Sequence, residues 1–183
     1  MACIKGSALL PAVKLVRKFS EKAAPHLGEA GKKLIEQRIL VGAWYPLEDA
    51  SEVMTAATKI VGSASLAEGM EFIGADLAEN DLRNLYSHYI TEGDVSKSLR
   101  RSALLWRNYF DTGTVRIAKP DPATNRIITH LEGFQSTVPF CAGIMGMGKV
   151  VVRIAGRGAV ARTVKLKCTL RGDPHCEFET HWD

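Results

Sequence analysis

The spacing of apolar residues changes once along this chain, close to Gly113. Upstream, apolar residues recur every three or four positions, which places them on one face of a helix. Ser7 opens a predicted helix bearing Leu10, Val13, Leu15 and Val16, and a second helix is predicted over 31–40. Trp44-Tyr45-Pro46 interrupts the pattern, because a residue before proline is pushed toward extended geometry. Val53, Ala56, Ala57, Ile60 and Val61 predict a helix over 48–61 that Gly62 stops. The segment 66–90 predicts one long or broken helix with Phe72, Ile73, Leu77, Leu82, Leu85 and Tyr89 on a single stripe. Gly93-Asp94 caps the next helix, whose inward face would carry Val95, Leu99, Ala103, Trp106, Tyr109 and Phe110.

Downstream of Gly113 the period is two. A strand is predicted over 114–119, a turn over 120–125 and a returning strand over 125–132. The apolar stretch 138–154 contains Gly143, Gly146 and Gly148. It predicts a helix in close backbone contact with a neighbour, since each glycine there costs ~1 kcal/mol relative to alanine. A closing hairpin is predicted over 160–169 and 175–182. Val160, Val164, Leu166 and Cys168 would form the apolar face of its first strand, and Cys176, Phe178 and Trp182 that of its second. A three-residue loop, Arg171-Gly172-Asp173, with a left-handed residue would set Cys168 opposite Cys176 on that face. The fold class is α+β: N-terminal helices packed on a C-terminal antiparallel ββαββ sheet. A single domain over 1–183 is expected, with a helical segment spanning 1–112 and a ββαββ segment spanning 113–183.

Composition narrows the function. Of 183 residues, 46% are hydrophobic and 24% charged, an ordinary soluble balance. The net charge of +4 is too mild, and too little clustered, to imply nucleic acid. No stretch reaches the ~18 apolar residues of a membrane span, so a cytoplasmic protein is expected. Four cysteines are too few for a disulfide scaffold, so reduced thiols are expected. No Ser-His-Asp or paired-carboxylate arrangement stands out, and Gly143–Lys149 lacks the ending of a phosphate loop, so the reading is not an enzyme. Lys97, Arg100, Arg101 and Arg107 read as a solvated face, with docking of an acidic partner as the alternative.

Cys141 with its glycine-rich continuation, followed by Cys168-Thr-Leu-Arg-Gly172-Asp173-Pro-His-Cys176-Glu-Phe, resembles the end of the 4-vinyl reductase type of ligand-binding domain. That fold is related to heme NO-binding domains and to small subunits of the Golgi vesicle-tethering complex. Ile4-Lys5-Gly6-Ser7-Ala8-Leu9-Leu10, Ala43-Trp44-Tyr45-Pro46-Leu47, 105–113 and Trp182 resemble a myxobacterial paralogous group of unknown function. The resemblance implies that Cys141, Cys168 and Cys176 are metal ligands. In phenol-sensing members of the broader fold, three cysteines and a glutamate hold a structural zinc. The glutamate falls at Lys165 here, which cannot act as an anionic ligand, so zinc stays open as a cofactor rather than implied outright. The bland alternative is three core cysteines packing as small apolar groups. Heme is not expected: Tyr86-Ser87-His88-Tyr89 lacks the Tyr-x-Ser-x-Arg signature of the heme-binding relatives.

Two functional readings follow. In the first, the chain is a non-catalytic sensory or regulatory module binding a hydrophobic small molecule between the helices and the sheet, with Trp106, Tyr109, Phe110 and Phe178 as pocket walls. In the second, it is a protein-interaction or scaffolding subunit with a closed core, like the tethering-complex relatives. A homodimer is expected through the N-terminal stripe Leu10, Val13 and Val16. A large lined cavity would favour the first reading, and a filled core with an apolar surface patch the second.

Overall fold

The computed structural model describes residues 2–118 and 124–183. Strand β1 (Cys3–Lys5) leads into α1 (Gly6–Lys18), α2 (Ser20–Ala23) and α3 (Glu29–Glu36). Strand β2 (Trp44–Pro46) precedes α4 (Leu47–Ile60) and α5 (Leu66–Arg83), followed by α6 (Val95–Ser102) and the short α7 (Trp106–Tyr109). The remainder comprises β3 (Thr114–Ile117), β4 (Arg126–Glu132), α8 (Cys141–Ala155), β5 (Ala161–Lys167) and β6 (Cys176–Trp182). The last four strands form one antiparallel sheet in the order β3-β4-β6-β5, which is the expected α+β arrangement of helices and a ββαββ sheet. Residues 120–123 of the turn expected over 120–125 lie outside the described residues.

Capping explains two helix starts. Asp94 accepts the Lys97 N–H at 2.8 Å at the start of α6, and Ser65 accepts the Glu68 N–H at the start of α5. Gly62 stops α4 with φ +75°, as its position predicted. The region 66–90 breaks after Arg83, and Ser87–Tyr89 is a single 3-10 turn.

Helix α8 lies across α5 in direct backbone contact. A β-carbon on Gly146 would stand 2.0 Å from the Glu71 carbonyl oxygen and 2.8 Å from the Ala75 nitrogen. The glycine thus lets the two backbones meet, as the sequence implied. Ion pairs Lys149–Glu71 and Arg153–Glu79 tie the same helices at their polar edge.

Three expectations are corrected. Leu10, Val13 and Val16 do not form a free stripe: Val13 and Val16 are fully buried in the core, where α1 packs on α4. Those two valines therefore leave no face there for a second copy to cover. On α5, Phe72 is 57% exposed, and Leu85, just beyond the helix, is 69% exposed. Gly69, Met70, Gly74, Ala78 and Leu82 make its buried face, because close helix contact favours small residues over aromatic ones. Residues 3–5, to which the sequence pattern assigns no element, pair with 44–46 as a two-stranded sheet. On β5 the inward residues are Ala161, Thr163 and Lys165, while Val160 just before the strand and Val164 and Leu166 within it point to solvent. A register shift between Lys165 and Lys167 causes this reversal. Lys165 pairs with inward Phe178, the chain steps by one residue, and Lys167 pairs with outward Glu177. A bulge of this kind exchanges faces along a strand, so Cys168 still ends up buried.

Candidate functional site

Two neighbouring features lie between the helices and the inner face of the sheet. The first is an apolar cavity of about 50 Å³, walled by Leu82, Leu99, Trp106, Tyr109, Val151 and Phe178. Thr129, Thr163 and Thr180 supply hydroxyls on the sheet side, and Ser102 on the helix side. Thr163 and Thr180 hydroxyls already lie 3.1 Å apart across β5 and β6. A second cavity of about 40 Å³ lies beyond Trp106, Tyr109 and Met147, which line both spaces, and reaches Phe110, Phe140 and Met70. Of the four predicted pocket residues, Trp106, Tyr109 and Phe178 line the first cavity, and Phe110 lines only the second.

The aromatic wall is fixed by hydrogen bonds and ring packing. Trp106 Nε1 donates to the Thr112 carbonyl at 2.9 Å, and its indole stacks on Phe110 at 4.2 Å between centroids. Phe134 meets both rings edge-on. The Tyr109 hydroxyl donates to Asp81 Oδ2 on α5 at 2.6 Å. Burial, then this bond to a carboxylate, hold the phenol proton on well above the ordinary range.

The second feature is the thiol cluster. Cys141 begins α8, Cys168 follows β5 and Cys176 begins β6, and all three are buried. Their sulfurs lie within 4.8 Å of one another, with Cys141 and Cys168 at 3.9 Å. The turn between the strands holds them. Thr169–Arg171 is a 3-10 turn, Gly172 takes φ +88°, and Asp173 accepts the Cys168 N–H at 2.7 Å. Gly172 is the left-handed residue that the sequence called for.

Hydrogen bonding within the cluster favours the thiolate at Cys176 and the thiol at Cys141. The Cys141 thiol donates to that thiolate first, and the Thr169 N–H and hydroxyl add to this, lowering Cys176 to about 5. The same donation, together with burial, keeps Cys141 protonated. Thr169 approaches the Cys176 sulfur with its N–H at 3.4 Å and its hydroxyl at 3.5 Å. The Lys165 ammonium donates to Cys141 Sγ at 3.3 Å.

A four-ligand zinc site is met at three corners only. Sulfurs ~2.3 Å from a tetrahedral ion lie roughly 3.8 Å apart, which matches the Cys141–Cys168 spacing. Lys165 stands beside them where the resemblance places an acid, and its ammonium repels a dication. His175 and His181 approach Glu177 and Glu179 on the outer face of β6 and offer no replacement. The sequence noted Lys165 only as a missing ligand; its contact with Cys141 depends on the β5 bulge, which leaves no local signal. Thr180 was legible, since it alternates with Phe178.

In overall shape the chain has the heme NO-binding, or H-NOX, fold. It superposes on an H-NOX protein from S. oneidensis solved in its Fe(II)NO state with a TM-score of 0.68, covering 98% of this chain and 99% of that one at 11% identity. The unliganded Fe(II) H-NOX protein from K. algicida gives 0.67 at 11% identity, covering 98% and 96%. An H-NOX variant from T. Tengcongensis gives 0.67 at 9% identity, covering 98% and 97%. No protein-family model matches the chain, and no curated protein is significantly similar to it in sequence.

The residues do not fit a heme. Neither cavity is lined by a histidine, and His88 packs against Tyr86 and Tyr89 instead. The space is also far below the ~300 Å³ at which ordinary cofactor pockets begin. No described helix is long and apolar enough to cross a membrane.

Proposed function

We propose that this chain is a non-catalytic, cytoplasmic regulatory module that binds a small hydrophobic molecule, in the manner of the 4-vinyl reductase-type domains its cysteine motif resembles. The observation that carries the reading is the apolar cavity between Trp106, Tyr109 and Phe178, with threonine hydroxyls on one wall. Its size limits the ligand to a few heavy atoms unless a wall moves. Of the three side chains that line both cavities, Met147 is the one free to move, because an unbranched thioether rearranges at low cost. With Met147 turned aside, a single aromatic ring bearing one hydroxyl suits the joined space. The thiol cluster abuts it through Phe178, over whose ring Lys165 stands at 5.7 Å.

Phenol tests the reading. Titration followed by Trp106 fluorescence and melting temperature should show saturable binding in the micromolar to low millimolar range. Met147→Ala should tighten it by joining the cavities, and Ala103→Leu should weaken it by filling the first. A flat response for the native chain and Met147→Ala alike would refute it.

A second reading, an interaction subunit that pairs as a homodimer or docks another protein, draws on a different observation. Val164 and Leu166 on the edge strand β5, with Val160 and Leu170 beside it, are 44–63% exposed. Light scattering showing a dimer that Val164→Lys dissociates would favour it.

A further inference from the structure

The outer face of the sheet holds a donor cluster that the cavity and the thiols do not use. His130 on β4 is the register partner of Glu177 on β6, and His175 precedes Glu177 by two residues. All three therefore project from one face of the two central strands. His130 Nε2 lies 3.4 Å from Glu177 Oε2, and His175 Nε2 lies 3.3 Å from the same oxygen. The three donor atoms fall within 4.8 Å of one another, and the imidazole centroids are 5.1 Å apart.

Ligands ~2.0–2.1 Å from a tetrahedral ion are separated by roughly 3.4 Å. Two edges of such a site are thus already at the right length without a metal. The donors are half-buried, with side-chain exposures of 31%, 23% and 17% for His130, His175 and Glu177. The ladder on both sides of β4 and β6 holds their backbones. We propose that His130, His175 and Glu177 bind one divalent ion of the zinc, cobalt or nickel class, with water completing the coordination. Two imidazoles and one carboxylate suit these borderline ions and leave an open position.

Among the described residues Lys167 opposes the ion most directly: its Nζ stands 2.9 Å from Glu177 Oε2, but its side chain is 44% exposed and can swing to solvent when a dication takes its place. Arg116, the register partner of His130, is paired with Glu132. The site is separate from the thiol cluster. Cys176 lies between His175 and Glu177 in sequence and points to the opposite face, so one ion cannot bridge both.

Cobalt(II) titration of the reduced full chain, followed by visible absorption, distinguishes the two. An ion on His130, His175 and Glu177 shows ligand-field bands without sulfur-to-cobalt charge transfer. One equivalent with that signature is expected. His130→Ala and His175→Ala should each weaken it about tenfold or more, and Lys167→Met should strengthen it. Circular dichroism checks that these outward substitutions leave the fold intact. Absence of a sulfur-free cobalt spectrum in the native chain would overturn the proposal. So would equal binding by the folded double variant H130A/H175A.

Discussion

Replacing Gly146 by alanine probes the contact between α5 and α8, two helices that wall the apolar cavity. The new β-carbon would stand 2.0 Å from the Glu71 carbonyl oxygen and 2.8 Å from the Ala75 nitrogen. Ordinary contact is ~3.5 Å, so α8 must retreat from α5 by roughly 1.5 Å or distort. Both neighbours are backbone atoms of a helix, so no side-chain rotation relieves the clash. Overpacking of this kind costs ~1–3 kcal/mol, and a shift this large belongs at the upper end. Alanine returns ~0.8–1.0 kcal/mol of helix propensity, leaving a net loss of about 2 kcal/mol. Gly148 sits two residues on in the same helix, and a β-carbon there meets nothing within 4 Å. Gly148→Ala should therefore stabilise by up to ~1 kcal/mol. Urea unfolding should separate the two variants by about 3 kcal/mol. In thermal scans Gly146→Ala should fall by ~4–8 °C and Gly148→Ala rise by ~2–4 °C. Equal stability of Gly146→Ala and the native chain would refute the account of the α5–α8 contact.

Further outcomes follow from the site. Tyr109→Phe should cost about 1–3 kcal/mol in urea unfolding, since it strips the buried hydroxyl from Asp81; an unchanged midpoint would show that the bond contributes nothing. Cys176 is lowered to about 5 in the folded chain from an ordinary ~8.5, so its thiolate contributes stability fully above ~8.5 and loses it as pH falls through about 5. Ultraviolet thiolate absorbance should accordingly amount to one sulfur per chain at neutral pH and vanish with a midpoint near 5; ionisation that begins only above pH 8 would contradict the assignment. Lys165→Glu exchanges the ammonium 3.3 Å from Cys141 for a fourth anionic ligand. It should create a strong sulfur-to-cobalt charge-transfer band beyond the sulfur-free spectrum of the native chain, with the affinity of the thiol cluster up about tenfold or more; no gain over the native chain would mean that the lysine does not hold the fourth corner.

The pattern of residues by itself determined the helices up to residue 110, the antiparallel ββαββ remainder, the inward face of β6 and the turn glycine at 172. These rest on local periods and on backbone angles that one residue type satisfies. The glycines of α8 also announced a backbone contact, though not that Gly146 makes the tight one and Gly148 none. Tertiary structure decided the rest. The pairing of residues 3–5 with 44–46 joins segments forty residues apart, and strands of three residues are too short to leave a period. Val164 and Leu166 point outward and Lys165 inward because one residue slips between Lys165 and Lys167, and a single-residue step in register reverses every side chain beyond it. That step places an ammonium against Cys141, where linear comparison showed only a missing acid. Burial of Val13 and Val16 likewise depended on where α4 lies, since an apolar stripe looks the same whether a second copy or the chain's own helix covers it. The cavity is the last such case: its aromatic walls were legible as residues, but its volume is set by how closely α5, α8 and the sheet approach, a distance no sequence period encodes.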